Sequence, residues 1–195
     1  MSKDIICIIF AYLVGSIPFG LLLANFFGNG MLRKSGSKNI GATNVLRTQG
    51  KCLGLATFLL DFLKGYVILH YVHPANELAC IALLMAPVLG HIFPLWLKFK
   101  GGKGVASYFG VLCALDAQFF FVVLFIWVVM FLIWKISSIS SLVSICMSCP
   151  FFYYLHHSHL HFINHLCGLI ILSVIIVARH HENIKRLLQG KELKA

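Results

Sequence analysis

Apolar residues run in seven blocks along the chain, near 5–27, 52–72, 78–97, 104–115, 117–134, 139–155 and 162–178, with short polar stretches between them. A bilayer core takes about 20 apolar residues as a helix, and fewer where the helix ends are tucked into protein. The pattern predicts an all-α, polytopic membrane protein. The first block is too long for a signal peptide, has only Lys3 and Asp4 before it and lacks a clear small-residue cleavage site, so it reads as a span. Residues 104–134 admit either one long helix or two short ones with a turn at Asp116–Gln118.

The positions of Lys and Arg decide between these, because cytoplasmic loops retain positive charge. Arg33, Lys34, Lys38, Arg47 and Lys51 follow the first span, which puts that loop inside and the N-terminus outside. Alternation then brings Lys98, Lys100 and Lys103 inside. Two helices over 104–134 keep Lys135, Arg179, Lys185, Arg186, Lys191 and Lys194 inside as well, whereas one would expel them. The expectation is seven transmembrane helices with a cytoplasmic C-terminus, the 104–115 helix being short and not lipid-exposed along its full length. Of the sixteen Lys and Arg residues, only Lys3 is then outside and only Lys64 within a span.

Composition agrees with this picture. The chain is 59% hydrophobic and 11% charged, with a mean hydropathy of +0.89, where a soluble domain carries about 25% charged residues. No linker, low-complexity tract or internal repeat divides residues 1–195, which are expected to form one membrane domain. The seven cysteines are scattered, mostly within apolar runs, so no disulfide framework is expected. Cys146 and Cys149 form C-x-x-C inside an apolar stretch and read as small hydrophobes.

Some polar groups fall where apolar ones are expected. Asp61 and Lys64 lie within the second span at i,i+3, on one helical face. Buried charges in a membrane are costly and usually paired. They read as a structural pair fixing this helix to its neighbours, since a proton path needs further charged groups at similar depth. The stretch Leu155-His-His-Ser-His-Leu-His161, followed by His165, invites a metal assignment, but it falls outside and apart from the other polar clusters. No metal or other cofactor is expected.

The inside loops carry the chemistry. Arg33-Lys-Ser-Gly-Ser-Lys-Asn-Ile-Gly-Ala-Thr-Asn-Val-Leu-Arg47 combines cations with hydroxyls, asparagines and glycines. Attraction to anionic lipid needs only the cations. The rest points to a specific anion site of backbone N–H groups and side-chain donors. Lys98-Phe-Lys-Gly-Gly-Lys-Gly-Val105 opens the fourth block, placing a Gly-rich turn and Lys103 at a helix N-terminus, an arrangement suited to phosphate. Lys135-Ile-Ser-Ser-Ile-Ser-Ser141 begins the sixth span with hydroxyls, Ser138 and Ser141 sharing a face. His180 and Asn183 stand one turn apart at the membrane edge after Arg179.

Among the carboxylates only Glu182 is placed to serve as a general base in this reading. No His-x-x-x-x-Asp acyltransferase pair and no Gly-x-Ser-x-Gly elbow occurs. Transfer from an activated, phosphate-bearing donor fits, because the leaving group is good and donors aimed at developing charge do most of the work.

These residues carry a resemblance. Gly15-Ser-Ile-Pro-Phe-Gly20, Gly36-Ser-Lys-Asn-Ile-Gly-Ala-Thr-Asn-Val-Leu-Arg47, Phe58-Leu-Leu-Asp-Phe-Leu-Lys-Gly65, Gly90-His-Ile-Phe-Pro94, the Lys98–Val105 run and Arg179-His-His-Glu-Asn-Ile-Lys-Arg186 resemble the acyl-phosphate:glycerol-3-phosphate acyltransferase family, in order and over nearly the whole chain. The resemblance implies a seven-helix bacterial inner-membrane enzyme with its active site on the cytoplasmic side. It would move an acyl group from acyl phosphate to the 1-hydroxyl of sn-glycerol 3-phosphate, giving lysophosphatidate and phosphate, the first step of phospholipid synthesis. It implies partnership with membrane lipid and a functional link to the enzyme that makes acyl phosphate, and no nucleic acid. By motif, Ser37, Arg47, Lys103, Ser141, His180 and Asn183 would be catalytic. Asn39, Gly41, Thr43, Asn44, Lys100, Gly101, Gly102, Gly104 and Ser138 would bind substrate phosphate. In the family a substrate phosphate is thought to take the acceptor proton. Lys38 stands where the family usually has Gly, and the His-rich loop is no part of its signature. The alternative is an anion or glycerol-phosphate transporter, which should show deep polar groups in several spans and often an internal repeat.

Overall fold

The computed structural model describes residues 2–72, 76–158 and 162–194, and among them every regular element is helical. The first apolar block is two helices, α1 (Ser2–Gly15) and α2 (Phe19–Phe27). Pro18 explains the break, since it lacks an N–H and its ring crowds the preceding turn. Ser16 Oγ donates to the Tyr12 carbonyl at 2.8 Å, beside the Ser16 N–H that the same oxygen accepts. A short helix, α3 (Ala42–Gln49), then turns at Gly50 into α4 (Lys51–Tyr71). Gly50 has φ +98°, a conformation that L side chains resist.

Helix α5 (Glu77–Ile92) is capped by Asn76, whose side chain accepts from the Ala79 N–H at 2.9 Å. A 3₁₀ turn at Leu95–Leu97 leads to α6 (Val105–Leu115) and α7 (Ala117–Trp134). Asp116 divides these two, accepting from the Phe119 N–H at 3.0 Å, so residues 104–134 are two helices, as the charge pattern requires. Helices α8 (Ser137–His156), α9 (Phe162–Arg179) and α10 (His181–Leu188) complete the order.

Among the described residues, six stretches are long and apolar enough to cross a membrane: Lys3–Phe27, Lys51–Tyr71, Glu77–Leu97, Ala117–Trp134, Ser137–His156 and Phe162–Arg179. The seventh expected span, α6, has 11 residues, which at 1.5 Å per residue covers about half of a ~30 Å hydrocarbon core. Its residues from Ser107 to Leu112 are all buried. It is a post inside the bundle, against α4 on one side and α7 on the other. Backbones touch along the first contact: a Cβ on Gly110 would lie 2.0 Å from the Phe62 carbonyl oxygen, and one on Gly65 2.2 Å from that of Ser107. Small residues at such crossings are how membrane helices gain close packing.

The core joins Leu84, Val88 and Ile92 of α5, Tyr108 to Leu112 of α6, Phe119 and Val123 of α7, Ile145 of α8, and Leu169, Leu172 and Ile176 of α9. Phe121, Phe125, Leu132, Ile133 and Trp134 face outward on α7. Such a surface suits lipid, and the chain is a multi-pass membrane protein. Of the His-rich stretch, His159 and His161 lie outside the described residues; His156 Nε2 stands 3.3 Å from Asp116 Oδ2, and His165 Nε2 3.2 Å from Cys80 Sγ.

Candidate active site

Helix ends gather at one end of the bundle. The N-terminal residues of α3 (Gly41 to Asn44), α6 (Lys103 to Ala106), α8 (Ser137, Ser138) and α10 (His180, Asn183) line a single cavity of about 440 Å³. The first turn of a helix leaves N–H groups unpaired and carries the positive end of its dipole. A cavity ringed by such ends attracts an anion before any side chain is counted. Ser37, Asn39, Arg47 and Ser141 line it as well, so the stretches 33–47, 98–104 and 179–186 do converge.

The first loop is shaped from within by Asn44. Its Oδ1 accepts from the Ser37 N–H at 2.9 Å, and its amide nitrogen faces the carbonyls of Leu32, Ser35 and Asn39 at 3.2, 3.2 and 2.8 Å. Asn44 is 2% exposed, so its polar atoms are spent on the loop and not on a ligand. Its side chain shapes the loop, and the residue also lines the cavity. Gly36 has φ +60°, and a Cβ there would meet Asn44 Oδ1 at 2.3 Å. Asn39 Oδ1 accepts from the Gly41 N–H at 3.2 Å. Ser37 and Thr43 reach the cavity wall.

The glycine-rich turn is also used differently from expectation. The N–H groups of Gly101 and Gly102 donate to the carbonyls of Ile92 and His91, each at 3.1 Å. They close the end of α5 and are not offered to an anion. Gly101 and Gly102 lie behind the cavity wall, and Lys100 is exposed, its carbonyl accepting from Arg33 at 2.7 Å. What the turn does is set Lys103 and Gly104 at the head of α6, Gly104 at φ +87°.

Burial pushes Lys103 down to about 8; Glu192 opposes this, while Arg186, Arg47 and Arg179 reinforce it. Burial also lowers Arg47, with Glu192 opposing. Arg47 donates to the Lys194 carbonyl at 3.1 Å, and its Nε is buried without a hydrogen-bond partner among the described residues. Burial, and then Lys103, bring His180 down to about 4. His180 Nδ1 contacts the Ile176 carbonyl at 2.8 Å, and a carbonyl can only accept, so Nδ1 carries the proton and Nε2 a lone pair. A neutral His180 in that tautomer accepts from a hydroxyl; it does not hold an oxyanion.

Glu192 was not foreseen. Its carboxylate accepts from Ser138 Oγ at 2.9 Å, Asn183 Nδ2 at 2.5 Å and Arg186 Nε at 2.7 Å. Burial alone would raise Glu192, but these donors hold it below the usual carboxylate range. Glu182, the carboxylate expected at the site, is exposed beside His181. The one signal for Glu192 was its position as one of two acids, with Glu182, in a basic tail. Trp127 was also missed: its Nε1 donates to Ser141 Oγ at 3.1 Å, while Ser141 donates to the Ser137 carbonyl at 2.8 Å. Beyond the polar end, Leu55, Phe58, Phe109, Leu124, Val128 and Phe131 extend the cavity as an apolar slot.

A family model described as glycerol-3-phosphate acyltransferase matches residues 5–190. The chain belongs to the glycerol-3-phosphate acyltransferase family. Relatives of that name include one from Mesorhizobium japonicum, 46% identical over 97% of this chain and 95% of its own length. Another, from Bartonella quintana, is 42% identical over 94% of this chain and 88% of its own. The fold is similar to crystal structures of PlsY (YgiH), an integral membrane glycerol 3-phosphate acyltransferase. The glycerol 3-phosphate form matches with TM-score 0.91 and 37% identity over 99% of this chain and 96% of that one. The lysophosphatidic acid form matches with TM-score 0.88 and 36% identity over 98% and 95%. This acyltransferase therefore has its cationic cavity and its apolar slot continuous with each other, as a substrate pair of one phosphate ester and one acyl chain requires.

Proposed function

We propose that this chain transfers a fatty acyl group from acyl phosphate to the 1-hydroxyl of sn-glycerol 3-phosphate. The carrying observation is the cavity itself, with several helix N-termini and the cations Arg47 and Lys103 at one end and an apolar slot at the other. The glycerol 3-phosphate and lysophosphatidic acid forms of the similar crystal structures support the acceptor and the product.

In this reading the acyl chain lies in the slot, and both phosphoryl groups lie among the cations and N–H groups. The acceptor oxygen attacks the acyl carbonyl carbon, a C–O bond forms, and the carbonyl–phosphate C–O bond breaks. Arg47 and Lys103 offset the charge that gathers on the departing phosphate, the usual largest source of catalysis in acyl transfer. His180 Nε2 accepts a hydrogen bond from the acceptor hydroxyl and orients it. With a pKa near 4, it is a weak base at neutral pH, so the proton passes to a phosphate oxygen of the substrate. Ser37, Ser141 and Asn183 complete the wall around the reacting groups.

The membrane setting follows. With α6 counted as a seventh, short span, the Lys/Arg pattern supports an N-terminus outside and an active site on the cytoplasmic face of a bacterial inner membrane, where an enzyme making acyl phosphate can supply the donor. The test is direct: purified protein receives acyl phosphate and labelled glycerol 3-phosphate. Labelled lysophosphatidate and released phosphate are expected in equal amounts. Uptake of glycerol 3-phosphate by proteoliposomes without any phosphate release would replace the acyltransferase reading with a transporter.

A further inference from the structure

Three ionisable groups meet inside the bundle with no part in the scheme above. Asp61 and Lys64 on α4 and His91 near the end of α5 are 1%, 3% and 5% exposed. Lys64 Nζ lies 2.7 Å from Asp61 Oδ1, 2.8 Å from His91 Nδ1 and 3.1 Å from the Ile17 carbonyl oxygen. An ammonium has three protons and no lone pair, so Lys64 donates to the Ile17 carbonyl and to Nδ1, which can only accept, while it meets Asp61 as an ion pair. A neutral imidazole that accepts at Nδ1 carries its own proton on Nε2. Asp61 Oδ1 is 3.4 Å from the same Nδ1, too far to compete with Lys64.

The other edge of the ring lies against the glycine-rich turn. A Cβ on Gly102 would fall 2.1 Å from His91 Nε2, and both His91 and Asp61 line the cavity. Among the described residues Nε2 has no hydrogen-bond partner, although the residue is 5% exposed. Its N–H is therefore available to an acceptor brought into the cavity that His91 lines. The main-chain oxygen of His91 also accepts the Gly102 N–H at 3.1 Å.

We propose that His91 donates its Nε2–H to a phosphoryl oxygen of bound substrate, beside the Gly101–Gly104 turn, and that Lys64 and Asp61 are positioning residues that hold the imidazole in that tautomer. This rests on the acyl-transfer reading, which supplies the phosphate. A neutral donor suits the place. Lys64 and Asp61 cancel in charge, so the triad directs a dipole at the anion without adding a further cation to the interior. It also accounts for an ion pair inside a membrane helix, since the pair fixes a ring that touches the substrate end of the cavity.

Two measurements test it. In kinetics, His91→Phe keeps the volume and removes the donor, while His91→Gln keeps an amide donor near the place of Nε2. Removing a hydrogen bond to a charged group should raise the KM for glycerol 3-phosphate about 10–100-fold in His91→Phe, with a smaller change in kcat and recovery of most of the loss in His91→Gln. An unchanged KM in a thermally intact His91→Phe overturns the proposal. In ¹⁵N-histidine spectra, the His91 signals, assigned by their absence from His91→Gln, should report a protonated Nε2 and an unprotonated Nδ1. They should move on addition of inorganic phosphate, and Lys64→Met should abolish the tautomer preference. A protonated Nδ1, or signals indifferent to phosphate, overturns it. These spectra do not depend on turnover, so absent acyl transfer in the wild type would count against the acyltransferase reading and leave this one to be judged by the spectra.

Discussion

At the scale of single residues, the site is a matter of which polar atoms are already spent. Asn44, Gly101 and Gly102 use theirs on the protein, whereas Arg47 Nε is buried with none among the described residues. Arg47→Ala is therefore expected to lower kcat/KM by about 10²–10³-fold, the range for removing one charge-stabilising donor, and Ser37→Ala to abolish measurable turnover; phosphate-release rates check both. Gly102→Ala drives a Cβ to within 2.1 Å of His91 Nε2, so it should raise the acceptor KM and lower kcat together by displacing the turn and Lys103 with it. Lys103 has its pKa lowered to about 8, so its charge is complete well below that pH and lost as pH rises through it. The KM for glycerol 3-phosphate should accordingly climb as pH passes about 8, while His180, lowered to about 4, stays neutral on both sides. A pH series of acceptor KM, with the Lys103→Arg variant losing the climb, measures this.

At the scale of elements, helix ends and helix contacts do different work. The N-termini of α3, α6, α8 and α10 make the anion end of the cavity. The place of α6 is held by backbone contact with α4. Gly110→Val would force side-chain atoms against the Phe62 carbonyl, 2.0 Å from the Cβ position. Overpacking of a tight core costs about 1–3 kcal/mol, occasionally more. The expected outcome is a lower melting temperature in detergent and lost activity, although Gly110 touches no proposed substrate atom.

At the scale of the whole molecule, the proposed orientation rests on charge. The residues that ring the cavity also belong to the basic segments, which the positive-inside rule assigns to the cytoplasmic face. In a cysteine-free background, Ser35→Cys and Lys98→Cys are expected to react with a membrane-impermeant thiol reagent only in inside-out vesicles. Labelling of either from the outer face of intact cells would reverse the assigned topology. The tail belongs to this scale too, because Glu192 brings the last residues back to α8 and α10 and closes one side of the cavity.

What could be read from residue order alone was whatever depends on local chemistry. Block length and hydropathy decide that segments cross a bilayer, and the Lys/Arg alternation decides that residues 104–134 are two helices. Clusters of donors with glycine pointed to an anion site, and the family resemblance singled out Ser37, Arg47, Lys103, Ser141, His180 and Asn183, all of which line one cavity. Left to the tertiary structure was how each polar atom is divided between fold and ligand. Asn44 and the Gly101–Gly102 amides bind their own chain, Glu182 faces away while Glu192 faces in, and His91 joins Asp61 and Lys64 across two helices. The physical reason is that hydrophobic pattern and charge are summed along a segment, but a hydrogen bond needs a partner at about 3 Å, and which groups come that close is settled only by packing between helices far apart in the chain.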